Sequence, residues 1–154
     1  MHNTVKIREI KSDDFPEWEV LWNEYNQFYG RFGDTALSDE ITETTWNRFF
    51  NESEPVFCLV AELDKKLVGI VHFIFHRNTI MIENTCYLQD LSVSEMHRGK
   101  HIGKRLIDAV CENAIKFGTK KVYWHTHETN MQAMSLYDKI ANKTGFLLYT
   151  KVSN

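Results

Sequence analysis

Apolar and polar residues alternate through "TVKIREI" (4–10), the period-two pattern of a half-buried strand. Ser12 and Asp13 then offer N-caps to a helix through "DFPEWEVLWNEYNQFY", whose proline falls within the first turn. Trp18, Leu21, Trp22, Tyr25 and Tyr29 recur every three or four residues and give that helix one aromatic stripe. A second helix is predicted after Ser38, through "DEITETTWNRFF". "VFCLVAEL" (56–63) and "LVGIVHFIFH" (67–76), joined by the polar turn "DKK", read as a hairpin.

A further strand is predicted at "CYLQDLSV" (86–93). From about His101 to Phe117, apolar residues fall at Ile102, Leu106, Val110 and Ala114, and Gly118 offers a C-cap. "KVYWHTH" (121–127) predicts another strand. Asn130 then caps a helix carrying Ala133, Leu136, Tyr137 and Ile140, and "GFLLYTK" (145–151) predicts a final strand. Without repeats or linkers, this order describes one mixed α/β domain over 1–154. Strand 86–93, its helix and strand 121–127 make a right-handed parallel crossover. A ligand in such a sheet is expected beyond the carboxyl ends of the strands, where "RGKHIGK" lies.

That junction has its own chemistry. Arg98, Lys100, His101 and Lys104 surround a helix start, where backbone N–H groups lack partners and carry partial positive charge. Gly99 and Gly103 let the backbone approach a bulky anion. The same residues also suit a solvated basic helix start with glycines in a tight turn. A P-loop is excluded, because three residues separate the glycines and Arg105 follows Lys104. The dinucleotide-binding glycine pattern is absent too.

A second motif resolves the choice. "NMQAMSLYDK" (130–139) holds Asn130, Ala133 and Tyr137 in an N-x-x-A-x-x-L-Y arrangement. Together with R-G-x-x-I-G this resembles the GCN5-related N-acetyltransferase (GNAT) superfamily, over most of the chain from Val5 to Lys151. Arg98, Ile102 and Gly103 fit the R/Q-x-x-G-x-G/A signature, and His101 stands where glycine is usual. "YLQDLSV" followed by "RGKHIGK" looks most like the spermidine/spermine and histone-and-polyamine-type acetyltransferases.

The resemblance implies a GNAT fold: a mostly antiparallel sheet with one parallel crossover and flanking helices. It implies acetyl-CoA as the acetyl donor. Leu91, Ser92 and Val93 would offer backbone groups to the pantetheine arm. Arg98, Gly99, Lys100, His101, Ile102, Gly103 and Lys104 would wrap the pyrophosphate. Asn130 and Ala133 would line the cofactor, and Tyr137 would face the thioester sulfur as general acid. Gln89 stands where the polyamine enzymes carry glutamate, and Gly145-Phe146 falls four residues later than in many members.

Acetyl transfer to an amine needs a neutral nucleophile. A lysine-like amine of pKa ~10.4 costs about 4–5 kcal/mol to deprotonate at neutral pH, and an α-amine near ~8 about 1–1.5 kcal/mol. Gln89 cannot take a proton. Asp90 and Glu128 are the nearest acids, with Glu83 further back. Asp90 is assigned a substrate-side role, as an ammonium anchor more than as a base. Gln89, Tyr25, Tyr29, Glu24 and Glu128 could edge the acceptor pocket, since acids with polar aromatics suit an organic cation. A phenol of pKa ~10 stays protonated at neutral pH and can protonate a departing thiolate of pKa ~8.5, the role given to Tyr137.

Composition narrows the partners. The formal charge of −3, from 18 basic and 21 acidic residues, argues for neither nucleic acid nor a membrane surface. Cys58, Cys86 and Cys111 are odd in number and set in apolar segments, which fits buried thiols in a reducing compartment. "MHNTVKIREI" lacks a signal-peptide core, so a cytoplasmic protein is expected. His72 with His76, and His125 with His127, lack companion ligands at metal spacing, so packed or surface histidines and no metal are expected. No cysteine lies in either motif, which favours direct attack in a ternary complex over an acetyl-enzyme. A homodimer is expected from exposed strand edges and aromatic helices. A protein or peptide amine as acceptor, and a CoA-binding sensor without turnover, remain the alternatives.

Overall fold

The computed structural model describes residues 4–154; Met1–Asn3, part of the N-terminal stretch read for targeting, lie outside it. The described residues divide into two units, the first ending at Trp124 and the second starting at His125.

The first unit is a five-stranded sheet in the order β1-β2-β3-β4-β5. Its strands are β1 (Lys6–Glu9), β2 (Val56–Leu63), β3 (Lys66–His76), β4 (Thr85–Val93) and β5 (Val122–Tyr123). Pairing is antiparallel from β1 to β4 and parallel between β4 and β5, as the predicted crossover requires. The β2–β3 hairpin closes at Leu63 and Lys66 over Asp64 and Lys65, both at positive φ, which matches the right-handed twist of the strands.

Three helices complete this unit: α1 (Phe15–Phe28), α2 (Asp39–Arg48) and α3 (Ile102–Lys116). α1 starts one or two residues later than the Asp13 and Ser12 caps predict, because 12–14 form a separate 3-10 turn. The Ser38 hydroxyl caps α2 by accepting from the Ile41 N–H at 3.3 Å. Within β3, Ile70 and His72 face α1 while Gly69 and Phe75 face the α3 side, so the strand is buried on both sides; Leu67, at its start, joins the α1 side. On the α1 side, Trp18, Leu21 and Trp22 pack with Cys58, Val60 and Ile70. On the α3 side, Gly69 is small enough for Leu106 to approach: a Cβ there would lie 3.1 Å from the Leu106 Cδ1. The predicted stripe of Ile102, Leu106, Val110 and Ala114 is buried.

An ionic clasp fixes the first strand. Arg8 donates to both carboxylate oxygens of Asp14, at 2.8 and 2.9 Å, and to Glu62 at 2.6 Å. The Arg8 guanidinium holds the Asp14 carboxyl below the usual carboxylate range.

The second unit carries α4 (Met131–Ile140). Two predicted strands are corrected here. The strand at 121–127 shrinks to Val122–Tyr123, so His125 and His127 are not on a strand. "GFLLYTK" forms no strand among the described residues, and Phe146, Leu147, Leu148 and Tyr149 are all exposed. An apolar segment becomes a strand only with an edge to pair with, and apolar character does not supply the edge.

Candidate active site

β4 is the strand that builds the site, and two irregularities shape it. His72 of β3 pairs with Asp90, but Phe73 pairs with Leu88, so Gln89 is an extra residue, a β-bulge. Strict alternation, which would set Gln89 and Asp90 on opposite faces, is interrupted at this pair. β5 pairs with β4 only at Cys86 and Tyr87. From Leu88 to Val93, β4 therefore has β3 on one side and no strand on the other among the described residues.

Asp90 lies on the α1 side, its side chain 13% exposed. The His72 Nδ1 lies 2.9 Å from its Oδ2, and the Trp18 Nε1–H donates to the His72 Nε2 at 3.0 Å. Tyr25 is half-buried near Asp90, and burial together with that carboxylate pushes its phenol far above the ordinary range. Tyr29 packs on Tyr25 with ring centroids 5.0 Å apart, and the Arg31 guanidinium lies over both rings. Asp90, Tyr25 and Tyr29 are thus brought together. Glu24 is exposed on α1 and takes no part in these contacts. Gln89 is exposed at the bulge.

His72 is packed, as the sequence predicts for a histidine without metal spacing, but its contact with Asp90 is not foreseen there. The available signal was a histidine inside the apolar run "LVGIVHFIFH", one strand away from an acid. Its partner depends on register, which the bulge alters.

At the carboxyl end of β4 the chain makes a 3-10 turn (Glu95–His97) and enters α3 through His101. His101 adopts a left-handed conformation, φ 64°, and Gly99 stands at φ 77° with nothing within 4 Å of where a Cβ would be. α3 begins without a side-chain cap, so its first N–H groups remain available to an anion. The charged side chains are more committed than their sequence suggests. The Arg98 Nε donates to the Val93 carbonyl at 3.1 Å, and Lys104 pairs with Asp108 at 2.8 Å. Lys100 is exposed. An open backbone cradle with basic side chains fits a pyrophosphate, and the unpaired edge of Leu88–Val93, which includes Leu91, Ser92 and Val93, fits an amide-bearing pantetheine arm.

In the second unit the Asn130 side chain caps α4, accepting from the Ala133 N–H at 3.4 Å. Ala133 and Tyr137 lie one turn apart on that helix, both half-buried. Glu128 is exposed in the segment before it.

Comparison with known proteins agrees with this geometry. The model of the acetyltransferase (GNAT) family matches residues 7–141. The chain is 31% identical over 154 residues to the D-amino-acid N-acetyltransferase HPA3 of Saccharomyces cerevisiae, spanning 98% of this chain and 92% of that one. It is 28% identical over 141 residues to the thialysine N-epsilon-acetyltransferase of Bos taurus, spanning 86% and 81%. The solved structure of AAC(6')-Iy with a CoA bisubstrate analogue shares the fold, with a TM-score of 0.82 at 14% identity over 98% of this chain and 99% of that one. The chain belongs to the GNAT acetyltransferase family and is an acetyl-CoA-dependent N-acetyltransferase.

Proposed function

We propose that the protein transfers the acetyl group of acetyl-CoA to a primary amine of a small cationic molecule, an amino acid or a polyamine-like amine, by direct attack in a ternary complex. Asp90 carries this reading. It is a largely buried carboxylate among aromatic faces, and among the described residues no lysine or arginine pairs with it. A carboxylate in such surroundings favours a cation that arrives with the substrate. The rings of Tyr25 and Tyr29 add cation–π attraction of about 0.5–1 kcal/mol. The D-amino-acid and thialysine activities of the two relatives support the amino-acid form. So does Gln89, because an α-amine needs less help from a base than a polyamine does.

Acetyl-CoA supplies an activated thioester. In this reading the backbone of Leu91–Val93 orients the pantetheine arm, and the N–H of Leu91 polarises the thioester oxygen. The turn from Arg98 to Lys104 holds the pyrophosphate, while Asn130 and Ala133 line the arm. Tyr137 gives its proton to the departing thiolate, which leaves as the thiol. The family model matches residues on both sides of the division between the two units. A cytoplasmic setting fits three free cysteines and the lack, among the described residues, of any helix long and apolar enough to cross a membrane.

The test is release of CoA thiol from acetyl-CoA with spermidine, L- and D-amino acids, an aminoglycoside and a lysine peptide. Release dependent on an amino acid or spermidine is expected. Release with the lysine peptide alone would overturn the small-molecule reading.

The protein is also proposed to act as a homodimer. Phe146, Leu147, Leu148 and Tyr149 are 69–92% exposed, and β5 has a single neighbour in the sheet. A strand-patterned segment without an edge and an edge without a strand complement each other between two copies. Light scattering of the full chain should give twice its 18.2 kDa mass, and Phe146→Ser with Leu148→Ser should give the single mass. A monomer at micromolar concentration would refute the dimer.

A further inference from the structure

Indole nitrogen donates and never accepts. The Trp18 Nε1–H points at the His72 Nε2 over 3.0 Å, so that ring nitrogen must offer a lone pair. The remaining ring proton then sits on Nδ1, which faces the Asp90 Oδ2 at 2.9 Å and donates to it. A doubly protonated ring would set two donors against each other at Trp18. The pair therefore has the contact geometry of a salt bridge but consists of a neutral imidazole and a carboxylate. Trp18 is wholly buried and His72 is 3% exposed, so neither has water to exchange partners with.

Two consequences follow for Asp90. One of its oxygens is held by a ring whose own orientation is locked by packing against Trp18, Trp22 and Phe49. Its charge is left whole, because His72 donates a hydrogen bond without bringing a positive charge. A protonated histidine in the same place would neutralise the carboxylate and remove its attraction for an ammonium.

We propose that His72 is the positioning residue of the acceptor site: held by Trp18 as the neutral Nδ1–H tautomer, it orients the Asp90 carboxylate and keeps it fully anionic for an ammonium-bearing acceptor. This rests on the reading of Asp90 as the acceptor's anchor. A misplaced binding group costs about 10- to 100-fold even when the chemistry is untouched.

The test uses the full-length protein and whichever amine of the panel has the highest kcat/KM. His72→Phe keeps the ring and removes both hydrogen bonds. It should lower kcat/KM about 10- to 100-fold through the acceptor's KM, leaving the KM for acetyl-CoA unchanged. His72→Asn keeps a donor where Nδ1 stands and should recover most of the loss. Asp90→Asn should lose at least as much, and Asp90→Asn with His72→Phe should lose no more than Asp90→Asn alone, since His72 acts through Asp90. In nitrogen-15 NMR of the unmodified protein at neutral pH, His72 should show a protonated Nδ1 and a bare Nε2.

Losses that add in full, or an acetyl-CoA KM that rises in step, would overturn the positioning role. So would an imidazolium or the opposite tautomer, a readout that stands even where His72→Phe fails to fold. An Asp90→Asn variant with unchanged kinetics, or no turnover with any amine, would instead remove the acceptor reading beneath it.

Discussion

Tyr137→Phe should lower kcat about 100-fold and leave the KM for acetyl-CoA within about two-fold, because a positioned general acid contributes ~10²–10⁴ and only in the transition state. A thiolate departs more readily as it gains a proton, and an ordinary phenol still carries its own at neutral pH. The phenol oxygen is the one atom removed in the variant, so the ring can still pack on α4. Steady-state kinetics across acetyl-CoA concentrations separate the two parameters. An unchanged kcat would hand the proton transfer to water and leave Tyr137 a helix-face residue.

Trp18→Ala should cost about 3–5 kcal/mol of folding stability, the range for deleting a large buried aromatic. Trp18 has no exposed surface and packs against Phe15, Trp22, Trp46 and Phe49 as well as His72. Removing it opens a cavity between α1 and the sheet and leaves the His72 Nε2 without a donor. Domains of this size are stable by only about 5–15 kcal/mol, so the variant should unfold at far lower urea. Trp18→Phe keeps most of the apolar volume and should cost about 1–2 kcal/mol, chiefly for the lost hydrogen bond. Urea melts followed by far-ultraviolet circular dichroism read both. Equal losses in the two variants would show that the indole N–H outweighs the volume.

The same residues mark how far the sequence could be read. α3 was legible because its signals are local: four apolar residues at helical spacing, and glycine at its end. The hairpin turn was legible for the same reason, and so was the junction at 98–104, whose glycine and basic residues lie side by side. The pairing of His72 with Asp90 was not. It joins residues 18 apart through a register that one unpaired residue shifts, and no local pattern announces that shift. The segment 145–151 failed differently. Its apolar run is real, but a strand is a relation between two chains of atoms, and the pattern names only one of them. The committed side chains of Arg98 and Lys104 show a third limit, since charge at a site is visible in sequence while its local pairing is not.

The bulge in β4 has a bearing on how such a protein diversifies. Gln89 stands outside the ladder, opposite no residue of β3, so its identity is not constrained by a cross-strand partner. Substitution there changes what the strand presents while leaving the register on either side in place. An acid can give way to an amide at position 89 and the sheet will not notice. The side chain at position 89 therefore stands on a frame that its own identity does not set, exposed beside the strand that carries Asp90.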